Sequence, residues 1–259
     1  VSQQTATEYF EFIADLGYTK HHGSLTATRE LVRLCQIGPD SYVLDVGCGV
    51  GATPSLLARE VGCRVMGVDL LEKMVEHARR RAREDEVEHL TEFRAADARD
   101  LPFDDNTFDA VISESVNVFF VDKASAVREY VRVTKPGGYV GTTELTWLQP
   151  PSPELEEAFR KMAYAHVLDA PGWRAVLEGA GLVEVRGSGQ RIDFKTESKT
   201  RIQRYGWRRI LRGLANATRL MVRDRRARQF VSDGSGALSK DMFHNVGYGV
   251  YAGRKPAAS

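Results

Sequence analysis

Val43-Leu44-Asp45-Val46-Gly47-Cys48-Gly49-Val50-Gly51 reads as a buried strand that runs into a glycine turn and then into a helix. Glycines at 47, 49 and 51 let the backbone turn sharply and approach a ligand with no Cβ in the way. Asp45 sets a carboxylate just ahead of the turn. A dinucleotide fingerprint, G-x-G-x-x-G or its alanine-ended form, is met on paper by Gly47, Gly49 and Ala52. In that use the helix N-terminus receives a pyrophosphate, and an acid two residues before the first glycine repels it. Asp45 therefore favours a ligand that carries no phosphate and has a cationic amine.

S-adenosylmethionine meets that description and NAD does not. The spacing D-x-G-C-G-x-G also resembles the first motif of the class I S-adenosylmethionine-dependent methyltransferases. Four further landmarks follow in the order that family has. Arg64 to Leu70 reads as a strand ending in Asp69, which matches the acid that grips the ribose hydroxyls; a carboxylate accepts two hydroxyl hydrogen bonds at once. Phe93 to Ala98 with Leu101-Pro102-Phe103 resembles the third strand and adenine-binding turn, Asp97 standing where the adenine amino group is met. Phe108 to Ser113 gives a fourth strand. Arg132 to Val140, with Lys135-Pro136-Gly137-Gly138, resembles the helix exit and fifth strand. The subgroup it most resembles contains the ubiquinone and menaquinone biosynthesis enzymes. The resemblance implies contacts to S-adenosylmethionine, whose product is S-adenosylhomocysteine, from Asp45, Val46, Gly47, Cys48, Gly49 and Gly51, from Asp69, Leu70 and Met74, from Asp97 and Ala98, and from Ser113.

A chain of 259 residues with 42% hydrophobic content buries one sizeable core without staples. Cys35, Cys48 and Cys63 form neither a C-x-x-C pair nor a disulfide framework, which points to a reducing cytoplasm. No apolar run reaches the roughly 18 residues of a membrane span, and no signal peptide is visible. Helices are expected over 4–16 and 26–34, then strands near 41–46, 64–69, 91–95, 107–113 and 138–145, alternating with helices near 53–61, 71–84 and 123–132. That alternation predicts an α/β doubly wound, Rossmann-like, mostly parallel sheet. Right-handed crossovers then bring the strand carboxyl ends and their acids to one edge. Beyond the Pro150-Pro151-Ser152-Pro153 break a helix near 154–168 is expected, then one over 171–180. Strands at 182–187 and 245–252 follow, and the family resemblance implies seven strands with an antiparallel last one. The division expected is a helical lid over 1–40, a cofactor core over 41–149, and a remainder over 150–259 that completes the sheet and adds cap insertions near 154–168 and 196–230, all one domain.

From Arg191 to Arg228 there are 13 Lys or Arg against three acids, a surplus of ten positive charges in a chain whose net charge is +1. A helical wheel puts Trp207, Ile210, Leu211, Leu214 and Met221 on one face and Arg208, Arg209, Arg212, Arg219 and Arg223 on the other. Such a helix either caps a site with its apolar face and solvates its arginines, or lies on an anionic membrane surface. A third reading makes the segment a phosphate footprint for RNA or DNA.

Methyl transfer from a sulfonium is an in-line displacement, in which alignment supplies much of the catalysis. A base is needed only for an acceptor that must shed a proton early. Glu114 and Glu144, at the ends of the fourth and fifth strands, and His22, in a lead-in segment with His21, are the candidates; a histidine has the fitting pKa at neutral pH. Trp147, Tyr205 and Trp207 could wall an acceptor site. Ser113-Glu114-Ser115-Val116 occupies the place of the Asn/Asp-Pro-Pro-aromatic tetrad of base-amine methyltransferases, which argues against nucleic acid. The cysteines are too few for arsenite chemistry, and the Asp and Asn cluster of a metal-dependent catechol site is missing, so no metal is expected. A small-molecule acceptor, lipidic or quinone-like, remains, alongside a non-catalytic S-adenosylmethionine-binding protein and, through the glycine match alone, an NAD-dependent oxidoreductase.

Overall fold

The computed structural model describes residues 14, 24–162, 165–193, 200, 203–204, 206–223 and 245–257. Eight strands form one sheet: β1 Tyr42–Val46, β2 Arg64–Asp69, β3 Thr91–Ala95, β4 Phe108–Glu114, β5 Thr134–Trp147, β6 Leu168–Asp169, β7 Val183–Gln190 and β8 Val246–Arg254. Their order is β3-β2-β1-β4-β5-β8-β7, with β6 attached to β5 off that path. Pairings through β6 are parallel, and β8 runs antiparallel to both β5 and β7.

The central strands are apolar on both faces because both are covered. Along β1, Val43 joins Leu31, Leu57, Ile112 and Val250 on one side of the sheet. Leu44, its neighbour, joins Val111, Val127, Tyr130 and Trp173 on the other. Helices α1 Ser24–Leu34 and α2 Ala52–Glu60 supply the first layer, and α4 Lys123–Val133 and α6 Ala170–Gly179 the second. α3 Glu72–Glu84 packs Val75, Ala78 and Ala82 on Phe93 of β3. From β1 the chain winds outward to β2 and β3, then returns to β1's other side at β4. A crevice opens at the carboxyl end of a sheet where its winding reverses in this way, here beside Gly47 and Glu114.

Two expectations need correcting. The helix predicted near 154–168 is shorter: α5 spans Pro153–Met162, and Leu168–Asp169 forms a strand against Thr146 and Trp147. That short strand raises the count from seven to eight. Asp169 then caps α6, its Oδ1 accepting the Gly172 N–H at 2.8 Å, which stops any helix from running through. The helix expected over 4–16 lies outside the described residues. At the far edge Gln190 pairs with Tyr248, so the two ends of the long basic insertion meet as neighbours on β7 and β8.

Candidate functional site

The glycine turn is closed from several sides. Gly47 and Gly51 have φ of 73° and 74°, a region that costs other residues strain. A Cβ on Gly47 would stand 2.2 Å from Val116 Cγ2, and one on Gly51 2.8 Å from Ala78 Cβ, so neither has room for a side chain. The N–H groups of Gly47 and Cys48 both reach Val68 O, at 2.8 and 2.9 Å. Asp69 completes the turn: Oδ2 accepts the Gly49 N–H at 2.9 Å and Oδ1 the Leu71 N–H at 3.1 Å. Each oxygen keeps acceptor capacity beyond that bond.

Asp45 is 2% exposed, and its Oδ2 has no hydrogen-bond partner among the described residues. Burial pushes its carboxyl well above the usual range; Glu114 adds to the rise and Arg204 opposes it. Val46, Cys48 and Met74 are buried around the turn, and burial raises the Cys48 thiol further beyond neutral pH, with Asp69 and Asp45 reinforcing it. Leu70, by contrast, is 63% exposed beside Asp69. Asp97 is held by Arg99, whose backbone N–H, Nε and Nη2 donate at 2.9, 3.0 and 2.7 Å and keep the carboxyl below its ordinary value. Ala98 packs into the core, and Ser113 is fully buried between Val46 and Thr142 in register.

Arg204 is the residue that reading the sequence missed. It reaches from the basic insertion into the crevice, where Nη2 bonds Glu114 Oε2 at 3.1 Å and Thr53 Oγ1 at 2.5 Å, and Nη1 bonds Thr28 Oγ1 at 2.8 Å. The Arg204 and Glu114 side chains are 4% and 6% exposed. Thr53 Oγ1 also donates to Glu114 Oε2, and the Arg204 carbonyl accepts from buried Arg81. Nothing local marks Arg204 among the twelve other basic residues of the segment; its partners lie far off in the chain.

Glu144 has a different setting from Glu114. It is fully buried, and its carboxylate accepts the Asn117 N–H at 3.0 Å, Asn117 Nδ2 at 2.9 Å, the Val118 N–H at 3.2 Å and Thr142 Oγ1 at 2.7 Å. Burial raises its pKa to about 7 against the pull of those donors. Its bonds fix the turn at Asn117–Phe119, and so the neighbouring Val116 that closes on Gly47. Trp147 is likewise core, set edge-on to Phe159 at 5.1 Å. His21, His22 and Tyr205 lie outside the described residues.

Helix α7, Trp207–Arg223, starts after Gly206 and turns the expected capping arrangement around. Two of its arginines bond the body of the protein: Arg209 bonds Glu84 at 2.8 Å and Asp85 at 2.9 Å, and Arg212 reaches Glu84 at 3.5 Å. Ile210 packs by Val50, Ala52 and Met74. Trp207, Leu211, Leu214 and Val222 are 60%, 54%, 59% and 74% exposed. No helix among the described residues is long and apolar enough to cross a membrane.

Residues 44–141 match the family model of a methyltransferase domain. A sarcosine/dimethylglycine N-methyltransferase from Halorhodospira halochloris is 41% identical over 103 residues, 40% of this chain and 37% of that protein. An uncharacterized protein from Haemophilus influenzae is 31% identical over 179 residues, 67% of this chain and 71% of its own length. Many curated relatives are covered over only a third to little more than half of their length. Among solved structures, the 4+2 cyclase SpnF superposes with a TM-score of 0.74 at 22% identity, over 100% of this chain and 97% of that one.

Proposed function

We propose that this chain, which belongs to the class I S-adenosylmethionine-dependent methyltransferases, binds S-adenosylmethionine at the Gly47–Gly51 turn and methylates a small-molecule acceptor. The observation that carries the cofactor assignment is the buried Asp45 Oδ2 left without a hydrogen-bond partner beside a turn that admits no side chains. A buried carboxylate oxygen with no donor is costly unless a ligand supplies one. Asp45 and Asp69 set acidic groups beside the turn and disfavour a pyrophosphate, while Glu114 is already paired with Arg204. The residues therefore fit S-adenosylmethionine, which supplies a methyl group activated by its sulfonium.

Asp69 keeps two lone-pair directions for ribose hydroxyls while its other bonds hold the turn rigid. Leu70 offers an exposed apolar surface next to it for a flat base. Asp97, already forked by Arg99, is positioned for an exocyclic amine, with Ala98 beside it. We assign Val46, Cys48, Met74 and Ser113, all buried, to the wall of the cofactor site. Glu114 pairs with Arg204 at 3.1 Å, and of the acid–base candidates it is the one we assign to the reacting edge. Glu144 we assign to positioning, through Asn117 and Val116. His22 remains a candidate from the sequence. SpnF has the same fold and is a cyclase, so the fold alone does not assign the reaction.

Calorimetry tests the cofactor site. Asp69→Ala should weaken S-adenosylmethionine binding by about 2 kcal/mol, the scale of hydrogen bonds to a charged group, or about 30-fold. Unchanged affinity refutes the assignment. Labelled cofactor incubated with the protein and a cell extract then reports whether a small molecule, RNA or nothing receives the methyl group.

A second reading rests on α7. An amphipathic helix that bonds its host through arginines and presents Leu211 and Leu214 outward, with Arg219 at the margin, suits the surface of an anionic membrane. An apolar outer face is poorly matched to a phosphate backbone, which disfavours RNA or DNA as the partner of this segment.

A further inference from the structure

Lys123, the first residue of α4, is an ammonium in an unusual place. It is 6% exposed, at a helix N-terminus whose dipole disfavours a cation. Nζ donates to Phe120 O at 2.7 Å and lies 5.3 Å from the Trp173 ring centroid. Those are its partners among the described residues, and no carboxylate there stands at ion-pair distance. Glu144, the acid whose field it feels, has its oxygens occupied by Asn117, Val118 and Thr142. An ammonium has three hydrogens to place, and a buried one without a counter-charge is expensive. Burial accordingly lowers its pKa to about 8.

Lys123 lines a cavity of about 450 Å³ at the carboxyl end of β5, between α4, α5 and α6. Trp147, Phe159 and Val176 give it apolar walls, and Arg160 and His166 join Lys123 among its polar lining. Its two acids are placed otherwise: Asp122 caps the Ser125 N–H at 3.2 Å, and Glu156 stands on the exposed side of α5. Pockets of this size with apolar walls and a few well-placed polar groups bind small molecules and orient them by those groups.

We propose that this cavity binds the acidic end of a small amphiphile, Lys123 Nζ donating to a carboxylate or phosphate while Trp147, Phe159 and Val176 cover the apolar body. The cavity lies on the same sheet edge as the glycine turn, two strands along from β1. This binding does not rest on the methyltransferase reading.

Ligand-observed NMR with decanoate, decyl phosphate and decanol on the full chain tests this. Wild type should bind both anions at least tenfold more tightly than decanol. Equal affinity for acid and alcohol, or no saturable binding of either anion, overturns the proposal. Lys123→Gln should lose at least tenfold for the anions and little for decanol, and Val176→Trp should exclude all three. Anion binding that survives either change places the site elsewhere and also overturns it. The comparison among wild-type ligands needs no variant to fold. S-adenosylmethionine affinity, measured separately, should be unchanged in both variants; its absence in wild type would fail the methyltransferase reading and leave the anion result standing.

Discussion

Replacing Arg204 with alanine removes a buried cation from between Glu114, Thr28 and Thr53. Breaking one side of a buried ion pair costs about 3–5 kcal/mol, because the remaining charge is stranded. Glu114 has an escape, which is to take up a proton. For an ordinary glutamate with a pKa near 4.3 that costs about 3.7 kcal/mol at pH 7 and about 1 kcal/mol at pH 5. The smaller of the two routes sets the loss, so the variant should be about 3–4 kcal/mol less stable than wild type at pH 7. The sign follows from linkage. Glu114 in the folded variant binds its proton more tightly than in the unfolded chain, so the penalty is present above about pH 4.3 and fades as pH falls toward it. Urea unfolding followed by tryptophan fluorescence at pH 7 and pH 5 measures both differences. A gap that is the same at the two pH values, or below about 1 kcal/mol at pH 7, refutes the placement of Arg204 against Glu114.

Gly51→Ala should destabilise by about 1–3 kcal/mol more than Gly62→Ala. Both have positive φ, but only the Cβ at 51 meets Ala78, while the one at 62 meets nothing within 4 Å; calorimetric melting that shows equal losses would contradict the close approach of α2 and α3. The double change Leu211→Glu and Leu214→Glu should abolish low-salt cosedimentation with phosphatidylserine vesicles and leave the melting temperature unchanged, since both side chains are more than half exposed. Wild-type protein that stays in the supernatant ends the membrane reading.

The parts of this molecule that could be read from sequence are those whose causes are local. A run of apolar residues buried on both faces, followed by glycines at positions of positive φ, locates β1 and its turn without knowledge of the rest. Asp45 and Asp69 follow from their offsets to that turn. Arg204 could not be found this way, because its partner Glu114 is ninety residues distant and its own neighbours are equally basic. The wheel of α7 groups Ile210 with Leu211 and Leu214, but the folded chain turns Ile210 inward beside Arg209, which Glu84 and Asp85 at the end of α3 hold. Glu144 and Glu114 look alike as strand-end acids. Only the folded chain distinguishes them, by giving one four donors and the other a guanidinium. The strand at Leu168–Asp169 exists because the end of β5 offers it a partner, and two residues carry no periodicity of their own.

Gln190 and Tyr248 are also joined through their side chains, Tyr248 Oη donating to Gln190 Oε1 at 3.0 Å. The two ends of the insertion are therefore clasped by the sheet itself. The entropy of closing such a loop rises only with the logarithm of its length, about 0.6 kcal/mol for each doubling. The length of the insertion can therefore change at little entropic cost to that clasp, while Arg204 ties the segment separately to Glu114.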